Sequence, residues 1–192
     1  MPCGHAWRSL EAVQERRELA GRHPDNATYN GQLGEELHNL ARLYASRGSQ
    51  SQATALLEEA IEWQKRAQNA EPSQRRFKKQ LRNHQTFLAF CMALDAGPQQ
   101  DLSQAEHYAR QSLELDPQDA ASWQSLGMVQ HRNGQWQAAV DSLTKANELS
   151  DDDDLPAGSG TEAPGLRTQQ GPFGVRGGFV RLLIRAGQET DA

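Results

Sequence analysis

The chain has 192 residues, a formal net charge of −5 and 36% hydrophobic residues, and its mean hydropathy is −0.80. The acidic balance argues against a nucleic-acid binder, and no apolar window reaches the roughly eighteen residues that a membrane-spanning helix needs. The start, MPCGHAW, lacks the basic and apolar regions of a signal peptide, so we expect a cytoplasmic protein.

The cysteines favour a free thiol over a disulfide. Only Cys3 and Cys91 are present, and Cys91 lies within an apolar run from Phe87 to Leu94. We therefore expect a buried free thiol rather than a disulfide. Burial disfavours the thiolate, so this cysteine is also expected to be unreactive.

Apolar residues recur at spacings of three and four along most of the first 150 residues, which is the period of an amphipathic helix. This pattern predicts helices over residues 6–22, 27–47, 50–70, 74–95 and 101–115. Helix-breaking residues separate these segments at Pro24, Gly48, Pro72, Gly97-Pro98 and Pro117.

Residues 120–150 carry the clearest pattern and predict two antiparallel helices joined by a turn at Asn133-Gly134. The apolar face of the first contains Trp123, Leu126 and Gly127, and that of the second contains Ala139, Leu143 and Ala146. Gly127 and Ala139 are small where the two backbones are expected to approach closely, whereas the larger side chains fill the space beside them.

The order W-x2-L-G followed by A-x3-L-x2-A resembles a tetratricopeptide repeat. Two upstream segments resemble it too, with first-helix anchors at Ala41 and Ala89 and second-helix anchors at Ala53 and Ala105. The resemblance implies an all-α fold, a short α-solenoid of about seven helices in antiparallel pairs.

Three regions follow from this pattern. Residues 1–24 are expected to hold a leading helix from a partial repeat, and residues 27–150 three helix pairs. Residues 151–192 are rich in Gly and Pro and are expected to be disordered. The only apolar cluster of this tail is Phe179 to Ile184, which either caps the last repeat as a short helix or remains an unstructured end.

The resemblance implies a non-catalytic scaffold that binds a partner protein or peptide in a concave groove lined by the first helix of each pair. The candidate contacts are polar residues of those helices that we expect to be exposed: Asn39, Arg42, Arg82, Gln85, Gln124 and Gln130. No nucleic-acid or membrane partner is expected, and the oligomeric state stays open.

Two alternatives remain at this point. The stretch YNGQLGEELHNLARLYASRG, with the later ELDP, is similar to the repeat arrays that follow the kinase domain in some large bacterial serine/threonine kinases, which would make the chain a regulatory or scaffolding fragment. An enzyme of another type is the weaker alternative, because no G-x-S-x-G, H-E-x-x-H or phosphate-binding motif occurs.

The six histidines do not combine with Cys or carboxylates at metal-ligand spacing, so neither a metal nor another cofactor is predicted. A basic cluster is either a patch for an acidic peptide or nucleic acid, or simply a solvated helix face; it comprises Arg75, Arg76, Lys78, Lys79 and Arg82. Trp63, Trp123 and Trp136 are expected in packing within and between repeats.

Overall fold

The computed structural model describes residues 3–95 and 102–152, and within them every regular element is a helix. The seven helices are α1 (Cys3–Arg22), α2 (Ala27–Ser46), α3 (Gln50–Ala70), α4 (Arg75–Leu94), α5 (Leu102–Leu115), α6 (Ala120–Arg132) and α7 (Trp136–Asp152). The predicted all-α solenoid is confirmed, with helix ends within three residues of those expected. The predictions made for residues 153–192, including the cap at Phe179 to Ile184, lie outside the described residues.

Short polar residues and glycines set the helix ends. The side chain of Asn26 accepts a hydrogen bond from the Tyr29 amide (3.0 Å), and that of Asp119 accepts one from the Ser122 amide (2.9 Å), which satisfies amides that a helix start leaves unpaired. Gly48 and Gly134 adopt positive φ angles of 79° and 73°. Both turns therefore need the left-handed conformation that glycine adopts without strain.

The helices form three consecutive hairpins after α1, namely α2 with α3, α4 with α5 and α6 with α7. The first helices of the hairpins lie side by side and parallel, since residues early in one helix contact residues early in the next, and later residues contact later ones. Arg76 reaches Thr28 and His84 reaches His38 between α4 and α2. The second helices form the other layer, where α3 packs against α4 and α5 against α6.

Close backbone approach in the last hairpin depends on Gly127. A Cβ atom placed there would stand 2.6 Å from Leu143 Cγ and 3.3 Å from the Ala139 carbonyl oxygen. The predicted close contact between the two helices is therefore confirmed. Two further glycines, Gly31 and Gly34, leave space on α2 for neighbouring helices. A Cβ at Gly31, for example, would stand 2.6 Å from the Phe77 ring.

The centre of the array is the C-terminal half of α4, where residues 84–93 are all buried. A helix that is buried on every side needs neighbours all round, and α4 packs against α2, α3, α5 and α6. The largest apolar cluster surrounds this segment and joins it to α3, α5 and α6. A smaller cluster joins α1, α2 and α3.

The expected packing of the tryptophans is correct for two of the three. Trp63 and Trp123 are partly buried against the apolar clusters, and Trp123 Nε1 donates to the Pro117 carbonyl oxygen (2.8 Å). The expectation for Trp136 is wrong, because its side chain is 56% exposed. It begins α7 beside the turn, where its only aromatic neighbour in the described residues is His131, with ring centroids 5.0 Å apart.

Candidate functional site

The first helices present three adjacent open stripes, which we call the first-helix surface. On α2 the exposed residues Glu35, Asn39 and Arg42 recur at spacings of four and three. On α4 the exposed residues Arg76, Lys79 and Asn83 do so at three and four. The stripe of α6 contains Ala121, Gln124 and Met128, all half-buried. Because α2, α4 and α6 lie side by side, the three stripes adjoin.

The seam between α2 and α4 is polar. Gln80 donates to Glu35 and Arg76 Nη2 donates to Thr28 Oγ1 (3.4 Å), so each bond joins the two helices directly. Gln64 of α3 closes the seam from below, because its Nε2 donates to the Phe77 carbonyl oxygen (3.2 Å). These bonds fix the spacing of the α2 and α4 stripes.

Two histidines meet at the middle of this seam. His38 Nδ1 and His84 Nδ1 are 3.0 Å apart, so one must donate to the other. Burial and then the positive charge of Arg42 lower the pKa of His38 to about 4. Burial and then His38 lower the pKa of His84 to about 3. The pair is therefore neutral near pH 7 and acts as a buried hydrogen bond. Sequence reasoning missed it, because the partners lie 46 positions apart.

An aromatic row continues from the histidine pair along α4. The His38 and Phe87 rings have centroids 5.3 Å apart, and Phe87 and Phe90 are stacked with centroids 6.3 Å apart. Phe87 and Phe90 are buried, so the open part of the α4 stripe changes from basic residues at its start to the apolar Leu94, which is 42% exposed, at its end. The first-helix surface accordingly offers charge at one end and apolar side chains at the other.

The six residues predicted to contact a partner divide into three groups. The expected exposure is correct for Asn39 and Arg42 on the α2 stripe, whereas Gln124 is half-buried on the α6 stripe. The expected exposure is wrong for Gln85 and Gln130, which are 3% and 5% exposed. Both lie inside the array, and their role as partner contacts stays a prediction.

The buried glutamines have partners in neighbouring helices. Gln85 Nε2 donates to Gln111 Oε1 of α5 (3.0 Å), and Ser142 Oγ of α7 donates to Gln130 Oε1 (2.7 Å). A hydrogen bond to a neighbouring helix offsets part of the cost of burying a polar side chain, although Gln85 Oε1 itself has no partner among the described residues. The partners are 26 and 12 positions away, so no local pattern predicts these bonds.

Arg82, the remaining candidate, is held in an ion-pair network at the start of α6. It donates to Asp116, and its Nη2 lies 3.3 Å from Asp119 Oδ1. Only 12% of the Arg82 side chain is exposed. Asp119 also caps α6, so the guanidinium ties α4 to the first turn of the next pair. Arg82 is thus chiefly a link between hairpins in this structure.

The rest of the basic cluster is open to solvent. Arg75, Arg76, Lys78 and Lys79 are all exposed at the start of α4. The Arg76 guanidinium lies 4.6 Å from the centroid of the Phe77 ring, a cation–π contact that orients it. Arg76 and Lys79 lie on the α4 stripe and, together with Arg42, give the first-helix surface a positive charge.

The described residues offer little reactive chemistry. Burial raises the pKa of the Cys91 thiol to about 12, which keeps it protonated. Among these residues, no group of three or more His, Cys, Asp or Glu side chains is placed to hold a metal ion. In the same part of the chain, no helix has the length and apolarity to cross a membrane.

Comparison with known proteins supports one of the predicted repeats. Residues 108–141 match the family model described as tetratricopeptide repeat. The matched segment runs from α5 through α6 into α7 and contains Gly127 and Ala139. The predicted tetratricopeptide resemblance is confirmed there. No curated protein matches the chain.

Solved structures with similar helical arrays include several of MamA. The structure described as MamA is 15% identical, covers 80% of this chain and 97% of its own, and has a TM-score of 0.35. A MamA fragment from Desulfovibrio magneticus RS-1 is 16% identical, covers 77% and 88%, and has the same TM-score. Superpositions at this TM-score assign no function to the chain.

Proposed function

We propose that the chain is a non-catalytic interaction module that binds an acidic segment of a partner protein on the first-helix surface. The observation that supports this most is the pairing of exposed polar stripes on rigid, parallel helices. Asn39 and Arg42 stand on one stripe and Arg76 and Lys79 on the next, with the polar seam between them. Helical repeat arrays use such extended surfaces for recognition.

The charge of the surface selects the partner chemistry. Arg42, Arg76 and Lys79 are cationic, whereas the one acidic residue on the two stripes, Glu35, already accepts a hydrogen bond from Gln80. Carboxylates of a partner would find guanidinium and ammonium donors without displacing an internal ion pair. Exposed Leu94 would meet an apolar residue beyond the acidic ones.

A nucleic acid is the less favourable partner for this surface. Protein sites for single strands usually interleave basic side chains with exposed aromatic rings on which bases stack. Phe77, Phe87 and Phe90 are all buried, so none offers an open ring face. The kinase-tail alternative rests on sequence resemblance alone, and nothing in the described residues favours it.

The test is capture from a native lysate by the wild-type chain and by two charge-reversal variants. Arg42→Glu/Lys79→Glu reverses the stripes, and Arg66→Glu/Lys145→Glu makes the same charge change on the second helices α3 and α7. We expect the wild type and the second variant to retain one protein partner that the first variant loses. Because the contact is ionic, raised salt should release it. Equal retention by all three chains, or retention only of nucleic acid, would refute the proposal.

A further inference from the structure

A separate groove runs over α6 between α5 and α7, with a volume of about 530 Å³. Leu126 and Gln130 form its floor, on the face of α6 opposite Gln124 and hence opposite the first-helix surface. Its walls are largely apolar, with Leu113 of α5, Trp123 of α6 and Ala138 of α7. The two walls belong to second helices that do not pack against each other.

The rim of this groove has an excess of acidic residues. Three charged residues line it: Arg110, Glu114 and Asp141. Arg110 is already paired with Glu106 at 2.5 Å. Within the described residues neither Glu114 nor Asp141 forms an ion pair, although Gln137 donates a hydrogen bond to Asp141 (3.0 Å). An occupant with apolar side chains and positive charge would complement both the walls and the rim.

The chain itself contains such a segment beyond α7. Phe179 to Arg185, FVRLLIR, has five apolar residues, two arginines and no acidic residue. In a helix, Arg181 and Arg185 would share one face while Phe179 and Leu182 would share another. Seven helical residues span about 10 Å, which is the length of α6 from Trp123 to Gln130.

The linker is long enough for this segment to reach the groove. Residues 153–178 separate it from the end of α7. A flexible linker of that length has a root-mean-square span of about 28 Å. Asp141 lies eleven residues before the end of α7, a distance of about 17 Å along the helix. Tethering at this range gives an effective concentration in the millimolar range.

We propose that residues 179–185 of this chain dock in the groove between α5 and α7, with their apolar side chains against Trp123 and Leu126 and their arginines near Glu114 and Asp141. The tail is thus an intramolecular ligand of the last repeat. It covers the second-helix side of the array and leaves the first-helix surface open.

Disulfide trapping in the full chain tests this placement. In a Cys3→Ser background, Ala138→Cys/Leu183→Cys places one thiol in the groove and one in the segment. The matched control, Thr144→Cys/Leu183→Cys, places the first thiol at an exposed position of α7 closer to the start of the tail. Buried Cys91 is retained in both. Rates of intramolecular disulfide formation are divided by the reactivity of each thiol towards a small disulfide reagent.

We expect the groove pair to close at least about tenfold faster than the control pair, which corresponds to 1.4 kcal/mol of docking free energy. Adding Arg181→Glu/Arg185→Glu should remove this preference, and further adding Glu114→Arg/Asp141→Arg should restore it. Equal rates for the two pairs would overturn the proposal. A disulfide-linked dimer as the main product would overturn it too, since the groove would then bind a second copy.

Discussion

Replacing Gly127 with alanine tests the close helix contact of the last hairpin. The new Cβ would stand 2.6 Å from Leu143 Cγ, 2.8 Å from Leu143 Cδ2 and 3.3 Å from the Ala139 carbonyl oxygen. Overpacking of this kind costs about 1–3 kcal/mol. Alanine gains about 1 kcal/mol over glycine in helix propensity. The free energy of unfolding is therefore expected to fall by up to about 2 kcal/mol, the overpacking cost less the propensity gain.

Urea denaturation followed by circular dichroism measures this change. Gly21→Ala is the matched control, because a Cβ at Gly21 meets nothing within 4 Å; it should stabilise the chain by a few tenths to about 1 kcal/mol. In a Leu143→Ala background the two shortest contacts are removed and only the 3.3 Å contact with the Ala139 carbonyl oxygen remains, so Gly127→Ala should cost less there than in the wild type. If Gly127→Ala alone stabilises the wild type as much as Gly21→Ala does, the close contact is refuted.

Two further predictions concern the polar links between hairpins. Arg82→Ala should lower the free energy of unfolding by about 2 kcal/mol in urea titrations, because Asp116 and Asp119 lose a charged partner. The control Arg110→Ala, which removes an exposed ion pair, should lower it by under about 1 kcal/mol. Equal losses in the two variants would contradict the Arg82 network. For His38 and His84 the folded pKa lies below the unfolded value, so the unfolded state binds protons first and stability falls as pH drops below 6.5. Between pH 7 and pH 4, protonation of His38 alone should lower the free energy of unfolding by about 3 kcal/mol. The His38→Gln/His84→Gln variant should lose correspondingly less stability over the same range. If the free energy of unfolding falls equally with pH in the wild type and in this variant, the buried pair is contradicted.

Local signals explain why the helices could be predicted. Gly48 and Gly134 end one helix of a hairpin, and Asn26 and Asp119 begin another, so each boundary is encoded within a few residues. The close contact at Gly127 could also be predicted, because a small residue at that point of a repeat lets the two helices approach each other. These features depend on helix geometry and not on distant partners.

The candidate site was harder to predict because its geometry depends on neighbours far along the chain. Gln85 and Gln130 occupy positions that look solvent-facing, yet both are buried, where Gln85 donates a hydrogen bond to Gln111 of α5 and Gln130 accepts one from Ser142 of α7. Arg82 looks like a surface cation and instead pairs with the start of α6. The packing of α4 and α6 against their neighbours decides these cases, and no short sequence window contains it.

The parallel layer of first helices is the claim on which the binding surface depends, and nuclear Overhauser contacts measure it directly. We predict cross-peaks between side-chain protons of His38 and His84, and between Thr86 and Ser122, whose hydroxyl oxygens are 2.8 Å apart. The first pair joins α2 to α4 and the second joins α4 to α6. A folded chain that lacks both sets of cross-peaks would contradict the layer.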